Sequence, residues 1–515
     1  MNKKILKWNF IFQYGYVITN IINAFILLPL YLHKIDSGTL GLWLATGNIL
    51  AWMTLADPGV GDVLQQKIAQ LYGQNMHGEV NKTIGSGILT SSAIFALSII
   101  AGIVFYLLIG TIINKDVSKY DGLQVALMVS IIATGLSLLS FSLSGINQGL
   151  QNPVHVAIAS ISGNIVFLAT NILFLFLGYG VISIAIANML RALYINIYNY
   201  TALKIILNKL QLFIDFDVSH LKKFVKIFSF TSISRIIGGF SASLDMIVLA
   251  RFVAPTMITL FEINKRPIQM SQTLIGRHSV ALMPVISHAK GKGDDTQIKS
   301  LISTQFKYYY YAAIFIGLVF CINYHTLITL WTGHDKYIGD KIIFLLIGNF
   351  FFAQIGYFMA NMGYALGDIK MNSYINICKG IISGILFYFA GKFYGIIGLI
   401  AVMLMVSIMV DFTFFSYRLN KLGYLSKHLI AKILKNWVVI IPVSIVAGWL
   451  INELTMLFIP AEMKLISLLV NGLGFTIFYL ALVLIKDSEM REQLWNLFPI
   501  RITKKVSREK ITIKT

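Results

Sequence analysis

Arg235, Asp245, Arg251, Glu262, Lys265, Arg266 and Arg277 all lie in the stretch from Ser234 to Asp295, among residues otherwise apolar enough for two membrane-spanning helices that turn at Ala254-Pro255. A charge at the centre of a bilayer costs about 3 kcal/mol on insertion scales, so such residues face a protein interior or a wet cavity. On a helix advancing about 100° per residue, Glu262, Arg266, Gln269, Thr273 and Arg277 fall within an arc of about 80°, with Lys265 at its margin. Asn264 and Ser271 fall outside that stripe, and Pro267 shifts its phase. Arg191 and Lys379, in two other apolar runs, add further cations, more than Asp245, Glu262 and Asp411 can neutralise. A surplus of fixed positive charge in a low-dielectric cavity attracts phosphate oxygens, which an arginine fork grips two at a time. The substrate-binding candidates are therefore Arg191, Arg235, Arg251, Lys265, Arg266, Arg277 and Lys379, with Asp245, Glu262 and Asp411 as candidate coupling carboxylates. A competing reading is intramembrane pairing, for example Arg266 with Glu262 one turn away. Amides such as Asn20, Asn23, Asn48, Asn147, Asn164 and Asn188 have the same two readings, since they can bond sugar hydroxyls or join helices.

The elements that must hold these groups follow from composition. Of 515 residues, 57% are hydrophobic and 12% charged, and the mean hydropathy is +0.75. Apolar runs long enough to cross a hydrocarbon layer of about 30 Å recur along the whole length. The expected fold is all-α, a polytopic membrane bundle of about fourteen transmembrane helices; a β-barrel would show alternating segments of about ten residues instead. Cys321 and Cys378 lie in separate spans and match no metal-ligand spacing, so they read as packing residues. The net charge of +20 would suggest nucleic acid in a soluble protein. Here the basic residues cluster between spans on the side of the two termini, which makes that side cytoplasmic and removes any need for a nucleic-acid partner. Met1-Asn2-Lys3-Lys4 and the apolar run to Leu32 read as a retained first span rather than a cleaved signal. The basic tail after Lys486 reads as a solvated segment beside anionic lipid. Connections are short on both sides, so there is no room for an extramembrane catalytic domain and no catalytic residue is expected.

The second span, at about residues 39–70, contains Asp57-Pro58-Gly59-Val60-Gly61. Proline removes a backbone hydrogen bond and glycine loosens the turn, so Asp57, Pro58, Gly59 and Gly61 are the expected hinge. The second and eighth spans match loosely: each follows a short turn, carries a proline and exits into a small basic loop with glycine. An offset of six spans means a parallel repeat, an arrangement that suits alternating access. The expected organisation is a six-helix half at 1–210, a second at 211–420, two more helices at 421–486, and a basic cytoplasmic tail at 487–515.

Gly38-Thr39-Leu40-Gly41-Leu42-Trp43, leading to Ala56-Asp57-Pro58-Gly59-Val60-Gly61 and Gln66-Lys67-Ile68-Ala69, resembles the second-span signature of the polysaccharide-transporter branch of the multidrug/oligosaccharidyl-lipid/polysaccharide flippases. Met283-Pro284-Val285-Ile286-Ser287 is similar to the proline motif that ends the eighth span in the same group. The resemblance covers roughly residues 5–420 in span pattern. Pro58 in the glycine pattern and the pair Lys265-Arg266 depart from it. It implies a Wzx-type flippase in the bacterial cytoplasmic (inner) membrane. Such a protein moves an undecaprenyl-pyrophosphate-linked oligosaccharide to the outer leaflet for O-antigen or capsule synthesis, in company with membrane lipid and other polysaccharide-assembly membrane proteins. A lipid II flippase fits the same features. A cation-coupled drug exporter should have a cavity rich in carboxylates and aromatics, and a membrane glycosyltransferase or polymerase would need a sizeable outer loop. No G-x-x-x-x-G-K-[ST] occurs, so a proton or sodium gradient, or substrate flux, drives transport, and no other cofactor is expected.

Overall fold

The computed structural model describes residues 3–55, 60–217, 244–291, 293–460, 462–487 and 490–492. Among them there is no strand. The helices are α1 (Lys3–Lys34), α2 (Ser37–Leu55), α3 (Val60–Gly73), α4 (His77–Ile113), α5 (Leu123–Gly149), α6 (Pro153–Phe176) and α7 (Val181–Leu210). After the undescribed 218–243 come α8 (described over 244–252), α9 (Pro255–Gly291), α10 (Asp295–Thr332), α11 (Asp340–Ala365), α12 (Ile369–Val406), a π-helical segment (Ser407–Phe414) and α13 (Phe415–Lys421). Residues 1–427 form one compact unit; α14 (Lys427–Phe458) and α15 (Lys464–Lys486) belong to a second, 428–515.

Ten of the described helices are long and apolar enough to cross a membrane, so the protein is a multi-pass membrane protein. α9 has the length, at 37 residues, but is kept off that set by its polar stripe. The stretch 370–421 counts as one helix by hydrogen bonding, yet Gly395 at φ 58 and ψ −137 breaks it into two. A residue with a side chain is disfavoured at that φ, which is why glycine stands at the turn. Contacts place the connections at 114–122, 178–180, 254 and 333–339 at one end of the larger unit, the Lys115 end: Lys115 binds the Val253 carbonyl, Gly122 abuts Ile182, and Asn264 in the first turns of α9 binds the Lys336 carbonyl. Those at 74–76, 150–152 and 211–217 lie at the other, the Gln151 end, where Phe213 binds Asn81 near the start of α4 and Gly149 abuts Ile68 near the end of α3.

Packing without a water-driven hydrophobic effect relies on close backbone approach, which small residues permit. α3 and α5 touch through Gly61 and Gly145: a methyl on Gly61 would lie 2.6 Å from the Phe141 carbonyl, and one on Gly145 would collide with the Gly61 carbonyl. Leu64, Ile68, Ile84, Ile146 and Leu203 fill the core around that contact. The chain leaving α7 is strapped across α4, where the Asn81 carboxamide accepts from the Phe213 N–H (3.1 Å) and Ser86 donates to the Asp217 carbonyl (2.7 Å).

The helices before the undescribed 218–243 and those after it, termed the first and second halves of this unit, meet chiefly where α2 packs on α9, with α1 against α9 and α10. Their direct bonds cluster at the Lys115 end. The Thr259 hydroxyl donates to the Ser37 carbonyl (2.6 Å), the Trp331 indole donates to the Phe25 carbonyl (2.8 Å), and the Trp331 and Phe25 rings stack at 4.7 Å. Gly41 lies so close to the Pro255 carbonyl that a methyl there would collide with it. α3, in the half of its span nearer the Gln151 end, packs on α4 and α5 of its own half.

Candidate functional site

Arg266 and Arg277 are separated by three helical turns on one face of α9, roughly 16 Å along its axis. Between them Gln269, Met270 and Thr273 line an open chamber of 520 Å³, bordered on the other side by Val17, Asn20, Ile21 and Ala24 of α1. Arg277 also lines a 420 Å³ chamber with Tyr16, Gln148, Asn188 and Arg191, whose α5 wall is Ser137, Ser140 and Ser144. Arg266, Asn20 and Asn188 border a third chamber, of 240 Å³, with Tyr31, Trp43 and Phe167. Shared residues make the three adjoining. Their described walls carry three arginines and no carboxylate.

The arginines are held differently. Arg191 donates to the Tyr16 hydroxyl (3.1 Å), and its guanidinium lies 6.0 Å from the Tyr16 and Phe167 ring centres. Arg266 reaches Glu262 at 3.2 Å, while Glu262 Oε2 and Arg266 Nε are buried without a partner. Arg277 has no carboxylate partner among the described residues. Lys265 follows the backbone about 100° away from Arg266 and turns into the second half, where it pairs with the buried Asp245. Asp245 lines a separate 210 Å³ cavity with Asn349, Asn376, Lys379, Ser407 and Asp411. There the Lys379 ammonium donates to both oxygens of Asp411, each at 2.7 Å. Asp411 sits in the π-helical segment, a distortion that recurs at functional sites, and bare Gly356 admits it, since a methyl there would strike the Asp411 backbone.

The sequence-derived set thus divides three ways. Arg191, Arg266 and Arg277 line the arginine chambers. Lys265, Lys379, Asp245 and Asp411 form two ion pairs on the second-half side. Arg251 does neither: it donates to the Thr111 (3.1 Å) and Ile112 (2.9 Å) carbonyls at the end of α4. Reciprocally, Lys115 donates to the Ala250 (2.6 Å) and Val253 (2.8 Å) carbonyls at the end of α8, and burial there holds its ammonium below the ordinary lysine range. Arg235 lies outside the described residues, as do Asp57, Pro58 and Gly59 of the expected hinge; Gly61 is the packing glycine already described. Asn23, Asn147 and Asn164 join helices, Asn23 donating to the Asn164 carbonyl (3.0 Å), Asn164 to Thr19 (2.8 Å) and Asn147 to the Asn199 carbonyl (2.9 Å). Asn20 and Asn188 line the chambers. Asn264, off the stripe, binds the turn after α10 by donating to the Lys336 carbonyl (2.7 Å). Sequence reasoning missed Tyr16 and the α5 wall. Ser137, Ser140, Ser144 and Gln148 recur at three- and four-residue intervals in an apolar run, and that spacing was the available signal.

No family model matches the chain, and no curated protein matches it in sequence. Solved structures do match in three dimensions. The lipid II flippase MurJ in an inward closed conformation superposes with a TM-score of 0.69 at 17% identity, over 94% of this chain and 100% of that one. The fold is that of the MurJ and MATE transporters. An inward-facing multidrug-resistance MATE family transporter of the MOP superfamily gives 0.66 at 14% identity, over 78% of this chain and 96% of that one. The MATE multidrug transporter DinF-BH, solved as a ligand complex, gives 0.62 at 15% identity, over 81% and 95%. These structures are transporters and a flippase, not enzymes.

Proposed function

We propose that the protein is a flippase that carries an undecaprenyl-pyrophosphate-linked oligosaccharide from the cytoplasmic to the outer leaflet by alternating access. The observation that carries this reading is the lining of the three adjoining chambers by Arg191, Arg266 and Arg277 with no described carboxylate. Such a wall favours a polyanion and disfavours a cation, because a drug cation entering it would meet three like charges, of which only that of Arg266 has a described carboxylate partner. The pyrophosphate lies between Arg266 and Arg277, with Arg191 at the side, and the amides and hydroxyls of Asn20, Asn188 and Gln148 meet sugar hydroxyls. The lipid tail stays in the bilayer. On this reading the ion pairs Lys265–Asp245 and Lys379–Asp411 form the coupling site, where a proton or sodium ion competes with a lysine for a carboxylate.

Lipid II is the second candidate. Its headgroup carries the same pyrophosphate, and the lipid II flippase matches this chain over 94% of its length. Both candidates separate from a drug exporter in one titration. Tryptophan fluorescence of the purified protein would be followed against an undecaprenyl-pyrophosphate-linked glycan, lipid II and a cationic rhodamine dye. Saturable, salt-sensitive binding of a pyrophosphate lipid is expected; binding of the dye alone would reverse the reading.

A further inference from the structure

The last carbonyls of an α-helix have no partner within the helix and carry partial negative charge. In α4 and α8 those groups are satisfied crosswise. α4 ends at Ile113, and Asn114 at φ 53 reverses the chain. Lys115 then donates to the Ala250 and Val253 carbonyls of the other half, while Arg251 from that half donates to the Thr111 and Ile112 carbonyls of α4. The partners are 135 to 140 residues apart in sequence. Neither cation has a carboxylate partner among the described residues.

We propose that Lys115 and Arg251 form a latch that holds the two halves together at the Lys115 end and must open before the central chambers can be reached from that side. It rests on the reading that the chambers open alternately to the two ends. Location supports it, because the other inter-half bonds among the described residues, Thr259 to Ser37 and Trp331 to Phe25, gather at the same end, while the 420 Å³ chamber extends to Gln148 and Pro153 near the opposite one. Chemistry supports it as well. A buried carboxylate pair would resist opening, since separation strands two charges away from water. A cation on helix-end carbonyls at a wet edge separates into groups that incoming water solvates directly, and the Arg251–Thr111 bond is already exposed. The latch is therefore strong enough to bias the closed state and weak enough to release.

The test needs no ligand, so an incorrect assignment of the headgroup leaves it intact. In a background with Cys321→Ala and Cys378→Ala, Thr273→Cys reports access to the 520 Å³ chamber. The purified full chain is reconstituted in vesicles of known orientation and labelled from each side with a membrane-impermeant maleimide. The parent should label from the Gln151 side. Lys115→Ala with Arg251→Ala should raise the labelling rate from the Lys115 side about tenfold, the effect of one partly buried cation leaving a helix C-terminus, and more if both act. Lys115→Arg with Arg251→Lys should keep the parental pattern. Should the alanine pair fail to accumulate, Lys115→Gln with Arg251→Gln keeps amide donors without the charge, and a smaller rise in the same direction is expected. A folded double variant with the parental pattern overturns the latch. So does failure of every uncharged variant to accumulate, which would make the pair a requirement of folding instead.

Discussion

Arg266 and Arg277 look equivalent along one helix face, and the structure makes opposite predictions for them. Glu262 is 2% exposed and its described ion-pair partner is Arg266 at 3.2 Å. Arg266→Gln strands that carboxylate, at a cost of about 3–5 kcal/mol for a broken buried pair, and the low end applies because the arginine side chain is 36% exposed. Removing both charges, Arg266→Gln with Glu262→Gln, should restore stability to near the parental value. Arg277→Gln breaks no ion pair among the described residues. It relieves repulsion from Arg266 worth about 1 kcal/mol at roughly 16 Å and an effective dielectric of 20, so stability should be unchanged or slightly raised. Binding should behave otherwise. Arg277→Gln loses charge-assisted bonds of about 1.5–3 kcal/mol, which weakens a pyrophosphate lipid about 10- to 100-fold. The Arg266/Glu262 double variant should bind weakly too, with Arg266→Lys intermediate because its charge survives without the bidentate fork. Thermal unfolding in detergent and titration with the lipid-linked glycan separate the two effects. The reasoning fails if Arg277→Gln is destabilised by several kcal/mol, or if the double variant binds as the parent does.

Three further outcomes are expected. Asp411→Asn leaves the Lys379 ammonium facing a neutral side chain and should lower stability by about 2–3 kcal/mol, less than a fully buried pair because the Lys379 side chain is 29% exposed; Lys379→Met with Asp411→Leu should recover stability yet lose gradient-driven transport, and retained transport would remove this pair from coupling. Gly145→Ala pushes a methyl into the Gly61 carbonyl and should cost about 1–3 kcal/mol by overpacking, whereas Gly472→Ala, with open space around it, should leave the thermal midpoint unchanged. Reporter fusions at Asn114, Tyr179 and Lys336 should read outside and those at Gly78, Ser219 and Asp294 inside; consistent reversal would invert the charge-based orientation.

What the sequence made legible was local. The polar face of α9 could be read because charge and amide recur every three or four residues, and the helical bundle because apolar runs match the bilayer. Other features depend on distance. Lys265 and Arg266 are neighbours in the chain, yet about 100° of helix rotation sends one to Asp245 in the second half and leaves the other at the chambers. Lys379 and Asp411 looked like separate resources, a cation for substrate and a carboxylate for coupling; only the packing of α12 against the π-helical segment makes them one pair. Arg251 read as a cavity cation because its partners are backbone carbonyls, which no side-chain pattern announces.

On the proposed reading, the arginine chambers carry a pyrophosphate lipid across the bilayer. That reading is tested most directly by reconstituting the purified protein in liposomes with a fluorescent undecaprenyl-pyrophosphate-linked oligosaccharide and following loss of the outward-facing label to a membrane-impermeant quencher. Protein-dependent translocation is expected, slowed about tenfold or more by Arg277→Gln at unchanged protein stability, with no transport of a cationic rhodamine dye. Dye transport without movement of the lipid-linked glycan or lipid II would contradict it.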